Sequence, residues 1–253
     1  MLSARKKINN AIINHLWGKR WGSPQYALNE NMLHVWCIAS DELQQFLPML
    51  RQNLSEDECS RATRYHFEKD SNRFILRRSI LRILISNYLG VDAKHIQYCY
   101  GKRGKPRITN NYSNEPLNFN MSHSENLMLY AFASNQEVGI DIEHVRPIPE
   151  AMQIVESCFS DKEKIIFNGL TADLQEEVFF QLWTRKEAFL KATGKGLDQS
   201  INGITVISSD DSVQIKNNQE TSGRWHIEDL FLVPGFSAAY AIEETAPLKC
   251  VFQ

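Results

Sequence analysis

The pattern of apolar and polar residues along the chain repeats the same order of elements twice. In the first stretch, apolar residues at 32–38 predict a strand, and apolar positions every three or four residues over 71–88 predict a long helix. In the second, residues 138–143 alternate as a half-buried strand does, and a helical pattern covers 173–193. A glycine follows each helical pattern and predicts where that helix ends.

A capping motif precedes each long helix. Ser55 is followed three residues later by Glu58, and Ser160 by Glu163, which is the pattern of a capping box. The terminating glycine follows the capping serine by 35 residues in the first stretch and by 34 in the second. We therefore predict an α+β fold, a pseudo-two-fold arrangement of two similar halves in which each half is an antiparallel sheet packed on a long helix.

Shorter apolar runs predict the remaining strands. They lie at 96–100, 116–121 and 127–133 in the first half, and at 202–208, 212–216, 224–232 and 236–242 in the second. The short segment 134–137 is the predicted connector, which gives an N-terminal half over 1–134 and a C-terminal half over 135–253.

Composition narrows the class of protein. A chain of 253 residues with 43% hydrophobic and 23% charged residues is an ordinary globular protein, and its net charge of -2 argues against a nucleic-acid binder. The five cysteines form no C-x-x-C pair, so neither a disulfide framework nor a zinc site is expected. The chain has no run of 18 apolar residues, and its basic N-terminus reads as a solvated leader. We expect a cytoplasmic protein that binds no membrane.

The strand at 138–143 carries the first candidate chemistry. Asp141 and Glu143 must point to the same face because strand side chains alternate. Two like charges about 5 Å apart repel by roughly 3 kcal/mol at an effective dielectric near 20. A fold tolerates the pair if both groups face water, if one is protonated, or if a cation lies between them, and the strand pattern alone leaves these choices open.

The second acidic motif lies on the long helix of the second half. Glu187 and Lys191 are four residues apart and share a helix face with Trp183. A surface ion pair is the simplest interpretation, but the apolar neighbours suggest that Glu187 is at least partly buried. Together with Asp141 and Glu143 it would supply three oxygen ligands, which suit Mg²⁺ better than zinc.

Polar and basic residues elsewhere could bind phosphate. His123 is flanked by Ser122 and Ser124, an arrangement open to either a structural or a phosphate-binding role. A Ser-His-Asp hydrolase fits poorly because no G-x-S-x-G motif is present. The loop 101–106 has glycines and lysines but lacks the spacing of a Walker A loop. The remaining basic candidates, which a solvated surface would also explain, are Arg61, Arg64 and Arg73.

Four of these motifs, taken in order and spacing, resemble those of the 4′-phosphopantetheinyl transferases. They are Gly-Lys-Pro at 104–106, Phe-Asn-Met-Ser-His-Ser at 119–124, Gly-Ile-Asp-Ile-Glu at 139–143 and Trp-Thr-Arg-Lys-Glu-Ala-Phe-Leu-Lys at 183–191. The chain is similar to the long, monomeric surfactin-synthetase-activating (Sfp-type) branch, over about residues 54–197.

The resemblance implies a site between the two halves. Coenzyme A would lie in the cleft as co-substrate, with its phosphate contacts in the N-terminal half and the metal site and catalytic helix in the C-terminal half. The implied Mg²⁺ ligands are Asp141, Glu143 and Glu187, and the implied catalytic residues are Asp141, Glu187 and Lys191. The implied coenzyme A contacts are Arg61, Arg73, Lys105, Ser122, His123 and Lys191.

One position departs from the family pattern. The family often has a basic residue three positions before that of Arg61, where this chain has Glu58. The phosphate contacts would then be fewer here, or Arg64 would supply the missing one.

The implied reaction is transfer of 4′-phosphopantetheine from coenzyme A to a serine of an apo acyl or peptidyl carrier protein, with release of adenosine 3′,5′-bisphosphate. Residues 144–165 are the candidate carrier contact. A Mg²⁺-dependent nucleotide pyrophosphate hydrolase would use the same carboxylates and is the alternative enzyme. A binding module without activity, or an RNA-binding protein, fits the residues less well.

Overall fold

A computed structural model of the chain describes residues 28–109, 112, 115–194, 201–209, 212–217, 224–244 and 249–252. The predicted N-terminal leader lies outside these residues. The helices are α1 (Leu47–Leu50), α2 (Glu56–Ala62), α3 (Glu68–Leu89), α4 (Ala151–Cys158), α5 (Asp161–Asn168) and α6 (Ala172–Thr193). The strands are β1 (Met32–Ala39), β2 (Tyr98–Tyr100), β3 (Pro106–Ile108), β4 (Leu117–Ser124), β5 (Leu127–Ser134), β6 (Val138–His144), β7 (Ile204–Ser209), β8 (Ser212–Asn217), β9 (Arg224–Asp229), β10 (Phe236–Glu244) and β11 (Lys249–Phe252). Short 3₁₀ turns lie at Asp41–Phe46, Arg51–Asn53, Ala93–His95 and Ile201–Gly203.

The first half is built on a sheet of order β11-β1-β5-β4. Its β1, β5 and β4 strands pair antiparallel, and the 22-residue helix α3 packs on one face. Trp36 from β1, Phe132 from β5 and Ile80 from α3 belong to the same buried cluster. The apolar stripe of α3 therefore covers one face of this sheet.

The second half repeats the arrangement with a sheet of order β6-β10-β9 and the 22-residue helix α6. Both strand pairs are antiparallel. Phe189 from α6 is buried with Ala239 and Ala241 from β10 and Ile227 from β9. This half thus has its own core between helix and sheet.

A third core joins the halves. Val35 and Leu129 of the first sheet lie in one buried cluster with Ile140 and Tyr240 of the second. Because strand side chains alternate, each sheet gives one face to its helix and the other to the opposite sheet. The predicted α+β fold with two similar halves, each an antiparallel sheet on a long helix, is confirmed.

The predicted helix ends are largely confirmed. Both capping boxes are present, at Ser55 and Ser160, and both long helices end at a glycine with positive φ, 70° at Gly90 and 65° at Gly194. The left-handed conformation explains the glycines, since other residues adopt it only with strain.

Several elements differ from the sequence predictions. Helix α4, strand β3 and strand β11 were not predicted, and β9 ends at residue 229, not 232. β11 pairs parallel with β1, so the last described strand lies in the sheet of the first half. Such a long-range pairing depends on the partner strand and leaves little signal in a four-residue segment. No helix in the described ranges is long and apolar enough to cross a membrane.

Candidate active site

The site forms where β6 lies directly against α6. A Cβ atom at Gly139 would overlap the backbone carbonyl of Ala188 and the amide of Ala192. Only glycine allows this close approach, and the two alanines on α6 keep the facing surface small. Asp141 and Glu143, two and four residues further along β6, share the face of Gly139 and are thereby brought beside the helix.

The side chains of Lys191 and Ser122 meet at Asp141, which is 3% exposed. The Nζ atom of Lys191 is 2.6 Å from Asp141 Oδ1 and donates to Ser122 Oγ at 3.0 Å. Ser122 in turn donates to Asp141 Oδ1 at 2.7 Å. Lys191 of the helix motif, Asp141 of the strand motif and Ser122 of the Ser-His-Ser motif therefore form one hydrogen-bonded group.

Residues of β4 bridge to β6 along its whole length. Asn120 Oδ1 accepts a hydrogen bond from the amide of Ile140 at 3.1 Å, and Ser124 Oγ donates to Glu143 Oε2 at 3.2 Å. Sequence reasoning missed Asn120 and Ser124 as site residues. The alternation of polar residues at 118, 120, 122 and 124 was the available signal, because it places all four on the face of Ser122.

Glu187 joins the same cluster. Burial raises the pKa of Glu187, and the negative charges of Asp141 and Glu143 raise it further. Burial likewise raises the pKa of Glu143, with an added contribution from Asp141. The three carboxylates, two on β6 and one on α6, are therefore close enough to repel one another.

The cluster suits a cation. Asp141 Oδ2 is buried and has no hydrogen-bond partner in the part of the chain that the structure describes. Lys191 pairs with Asp141, and the guanidinium of Arg146 lies 3.9 Å from Glu143. Three carboxylates therefore exceed these two cations by one negative charge, which a divalent ion would neutralise. Among the described residues, however, no three His, Cys, Asp or Glu side chains are already arranged as a metal site, and Lys191 contacts Asp141 instead.

A cavity of about 390 Å³ with a mixed polar and apolar lining opens next to the acidic cluster. Glu143 and Arg146 line its charged side, and Phe179, Phe180 and Trp183 line its apolar side. Trp183 stacks on Phe179 with their ring centroids 6.2 Å apart. Of the three clustered carboxylates, Glu143 is the one that lines this cavity.

The other sequence-predicted residues lie outside this cluster. His123 is exposed, and strand alternation points it away from the face of Ser122. Arg61 on α2 and Arg73 on α3 are also exposed, and the Arg61 guanidinium lies 5.3 Å from the ring centre of Phe74. Arg61 and Arg64 line a cavity of about 750 Å³. No described hydrogen bond or ion pair links these residues to Asp141.

Glu58, the departure from the family pattern, is a buried structural residue. Its carboxylate closes the capping box of α2 and binds Arg78 and Arg82 at 2.6 and 2.5 Å. A basic residue at this position would face two arginines. The structure therefore explains why an acid stands here.

Buried carboxylates whose pKa values are raised, beside a lysine that is bound to an aspartate, are typical of a functional site. Two family models match the chain, "4'-phosphopantetheinyl transferase, N-terminal" over residues 36–136 and "4'-phosphopantetheinyl transferase superfamily" over residues 137–242.

Characterised relatives agree. The chain is 35% identical to the 4'-phosphopantetheinyl transferase HetI of Nostoc sp. over 186 residues, which is 74% of this chain and 78% of HetI. It is 28% identical to the 4'-phosphopantetheinyl transferase Sfp of Bacillus subtilis over 203 residues, 80% of this chain and 86% of Sfp. The chain belongs to the 4′-phosphopantetheinyl transferase family.

A solved structure covers a smaller part of the chain. The holo-[acyl-carrier-protein] synthase of Thermotoga maritima matches 44% of this chain and 64% of its own, at 24% identity and a TM-score of 0.37. This match is too partial to bear on the site, which rests on the contacts described above.

Proposed function

We propose that Asp141, Glu187 and Lys191 form the catalytic centre with which this transferase moves 4′-phosphopantetheine from coenzyme A to a serine of an apo carrier protein. The observation that carries the proposal is the contact between β6 and α6. There the Lys191 ammonium lies 2.6 Å from Asp141, and the charges of Asp141, Glu143 and Lys191 act on Glu187. Members of the family catalyse this reaction, which requires acidic groups and a cation. Among the described residues, this cluster brings both together.

Each residue has a distinct role in the proposed step. The carrier serine oxygen forms a bond to the β-phosphorus of coenzyme A, and the bond from that phosphorus to the bridging oxygen breaks, releasing adenosine 3′,5′-bisphosphate. Glu187 accepts the serine proton, a role suited to a carboxyl whose pKa is raised by burial. Lys191 supplies positive charge to the departing diphosphate oxygen.

We further propose that Asp141, Glu143 and Glu187 hold Mg²⁺ in the working enzyme. When bound, the ion neutralises diphosphate charge that the carboxylates would otherwise repel. Ser122 and Ser124 fix the positions of Asp141 and Glu143 by hydrogen bonds of 2.7 and 3.2 Å.

Coenzyme A is proposed to reach this centre from the first half. Arg61 and Arg73 would attract its 3′-phosphate, with Arg64 beside Arg61 in the same cavity, and Ser122 and His123 would also contact coenzyme A. This division assigns coenzyme A phosphate contacts to residues 1–134 and metal binding and catalysis to residues 135–253.

The carrier is proposed to dock on residues 144–165 of a monomeric, cytoplasmic enzyme. Two apolar side chains of this segment are exposed, Met152 at 49% and Ile165 at 74%, and the next residue, Ile166, is 43% exposed. They lie on α4 and α5, the elements that follow the acidic strand. A carrier protein docked on this segment would cover these exposed apolar side chains.

Mass spectrometry of several apo carriers incubated with coenzyme A and Mg²⁺ tests the proposal. We expect a gain of one phosphopantetheine on serine, abolished by EDTA and restored by Mg²⁺. The Asp141→Ala variant should keep its circular dichroism spectrum and lose transfer. Full transfer by Asp141→Ala would refute the catalytic centre, and nucleotide release without a carrier would favour the hydrolase.

A further inference from the structure

Lys105 occupies a rigid turn between β2 and β3 in the first half. The amide of Gly101 donates to the carbonyl of Lys105 at 3.0 Å, and the amide of Gly104 donates to the carbonyl of Gly101 at 2.9 Å. Gly104 has a φ of +79°, which other residues adopt only with strain. The turn therefore fixes where the Lys105 side chain leaves the backbone.

The ammonium of Lys105 makes three hydrogen bonds to acceptors within the protein. It donates to Glu137 Oε2 at 2.9 Å, to the carbonyl of Val138 at 3.2 Å and to the carbonyl of Ala192 at 2.8 Å. A lysine has three N–H donors, and here each one has an acceptor. The side chain is only 12% exposed.

The position of the Ala192 carbonyl makes this contact valuable. It belongs to the last turn of α6, whose carbonyls lack partners within the helix, and a cation there also interacts favourably with the helix dipole. Gly194, the residue that ends α6, lies beside the Lys105 methylenes, since a Cβ there would be 3.8 Å from Lys105 Cδ. Lys105 thus completes the end of the helix that carries Lys191.

We propose that Lys105 is a positioning residue that fastens the β2–β3 hairpin of the first half to the start of β6 and the end of α6, and that its ammonium does not bind a coenzyme A phosphate. Val138 begins the strand that carries Asp141, and Ala192 follows Lys191 directly. One side chain therefore holds both elements of the catalytic centre in register. The inference rests on the proposed function of that centre.

The charges around Lys105 also argue against a phosphate there. Glu137 is bound by Lys105 and, at 2.6 Å, by Arg107, so its carboxylate lies between the two cations. A phosphate approaching Lys105 would meet this carboxylate and would have to displace three hydrogen bonds. The two roles consequently predict opposite effects of removing Glu137.

Steady-state kinetics of Lys105→Met and Glu137→Ala with coenzyme A and with dephospho-coenzyme A separate the roles. For positioning, kcat should fall by about 10- to 100-fold in Lys105→Met, since small misplacements of reacting groups are costly. The KM for coenzyme A, and the preference for coenzyme A over its dephospho form, should change by less than about threefold. Glu137→Ala should also lower kcat, and the double variant should lose little more than Lys105→Met alone.

Two further variants serve as controls. Lys102→Met removes the same charge from an exposed position in the same loop and should leave both constants within about twofold. Lys105→Arg keeps the charge, so it would preserve phosphate binding but should lose kcat because the wider guanidinium cannot take the three acceptors. Lys105→Arg also replaces Lys105→Met if the latter fails to fold.

Hydrogen exchange supplies a readout independent of activity. Faster exchange over the last turn of α6 and the start of β6 is expected in Lys105→Met and not in Lys102→Met. A rise of more than about tenfold in the KM for coenzyme A with kcat retained, or tighter coenzyme A binding in Glu137→Ala, would overturn the inference. Failure of the proposed function would appear separately, as an active Asp141→Ala enzyme.

Discussion

At the scale of single residues, charge and burial decide what each acid of the site can do. Glu187 is half-buried near two other carboxylates, so its pKa is raised and it can hold a proton more readily than an exposed glutamate. Asp141 is instead held in place by hydrogen bonds from Lys191 and Ser122. Similar side chains thus take different roles.

The Glu187→Gln variant tests the proton-accepting role. We expect kcat to fall by about 10²- to 10⁴-fold, because an amide cannot take the serine proton. The measurement is single-turnover transfer at saturating coenzyme A and Mg²⁺. Near-normal turnover with an unchanged Mg²⁺ dependence would reject the role, and Glu177→Gln, exposed on the same helix, is the matched control.

His123 should contribute to binding more than to turnover. It is exposed on β4 beside Ser122 and makes no described contact with the acidic cluster. Loss of a charge-assisted hydrogen bond to phosphate predicts a rise of about tenfold in the KM for coenzyme A in His123→Ala, with little change in kcat. Steady-state kinetics decide this, with His95→Ala, another exposed histidine, as control. A fall in kcat at constant KM would contradict it.

At the scale of elements, the contact between β6 and α6 sets the geometry of the site. Gly139 allows β6 to touch the backbone of α6. The capping box of Ser160 and Glu163, which begins α5, also contacts α6. Glu163 of that box pairs with Lys186 at 2.8 Å, and both side chains are fully buried. Lys186 also donates to the carbonyls of Ile201 and Ile204. The helix is therefore fixed on two sides.

Gly139→Ala should be far more damaging than its size suggests. The added methyl would overlap backbone atoms of α6, which no side-chain rotation can relieve, so we expect a loss of about 3 kcal/mol or more in the free energy of unfolding. Urea denaturation measures it.

Gly169→Ala is the matched control for that experiment. Its new Cβ would lie 3.5 Å from the nearest atoms, an ordinary contact, and should change stability by less than about 1 kcal/mol. Equal stability of the two variants would show that β6 and α6 do not need the glycine.

At the scale of the whole molecule, the two halves are joined by a shared core and by a strand of the second half that pairs in the sheet of the first. Val35, Leu129, Ile140 and Tyr240 form a core between the sheets, and β11 crosses from the second half to pair with β1. Neither half is therefore complete without the other.

Ending the chain after Glu244 tests this strand pairing. Loss of β11 removes the parallel partner of β1 and exposes apolar surface around the partly buried Cys250 and Val251, at a cost of about 3 kcal/mol. Tm should fall by about 5–10 °C, whereas Lys249→Gln, an exposed change within β11, should leave it unaltered. An unchanged Tm in the shortened chain would mean that β11 contributes nothing to the first half.

The amino-acid sequence by itself determined the two long helices, most strands and the identity of the acids. Periodicity, capping boxes and terminating glycines are local signals, so the two long helices and the strand that carries Asp141 could be predicted within a few residues. The alternation of residues 138–143 placed Asp141 and Glu143 on one face of a strand. The four-residue spacing of Glu187 and Lys191 placed these two residues on one face of a helix.

Only the tertiary structure decided which of these groups meet. Ser124 and Asn120 bind β6, Lys105 reaches the end of α6, and Lys186 is buried although Lys191, from the same motif, reaches the site. Such contacts join residues far apart in the chain and depend on the packing of whole elements. Local sequence patterns show the direction in which a side chain points. Its contact partner is decided only when the two halves pack together in the folded protein.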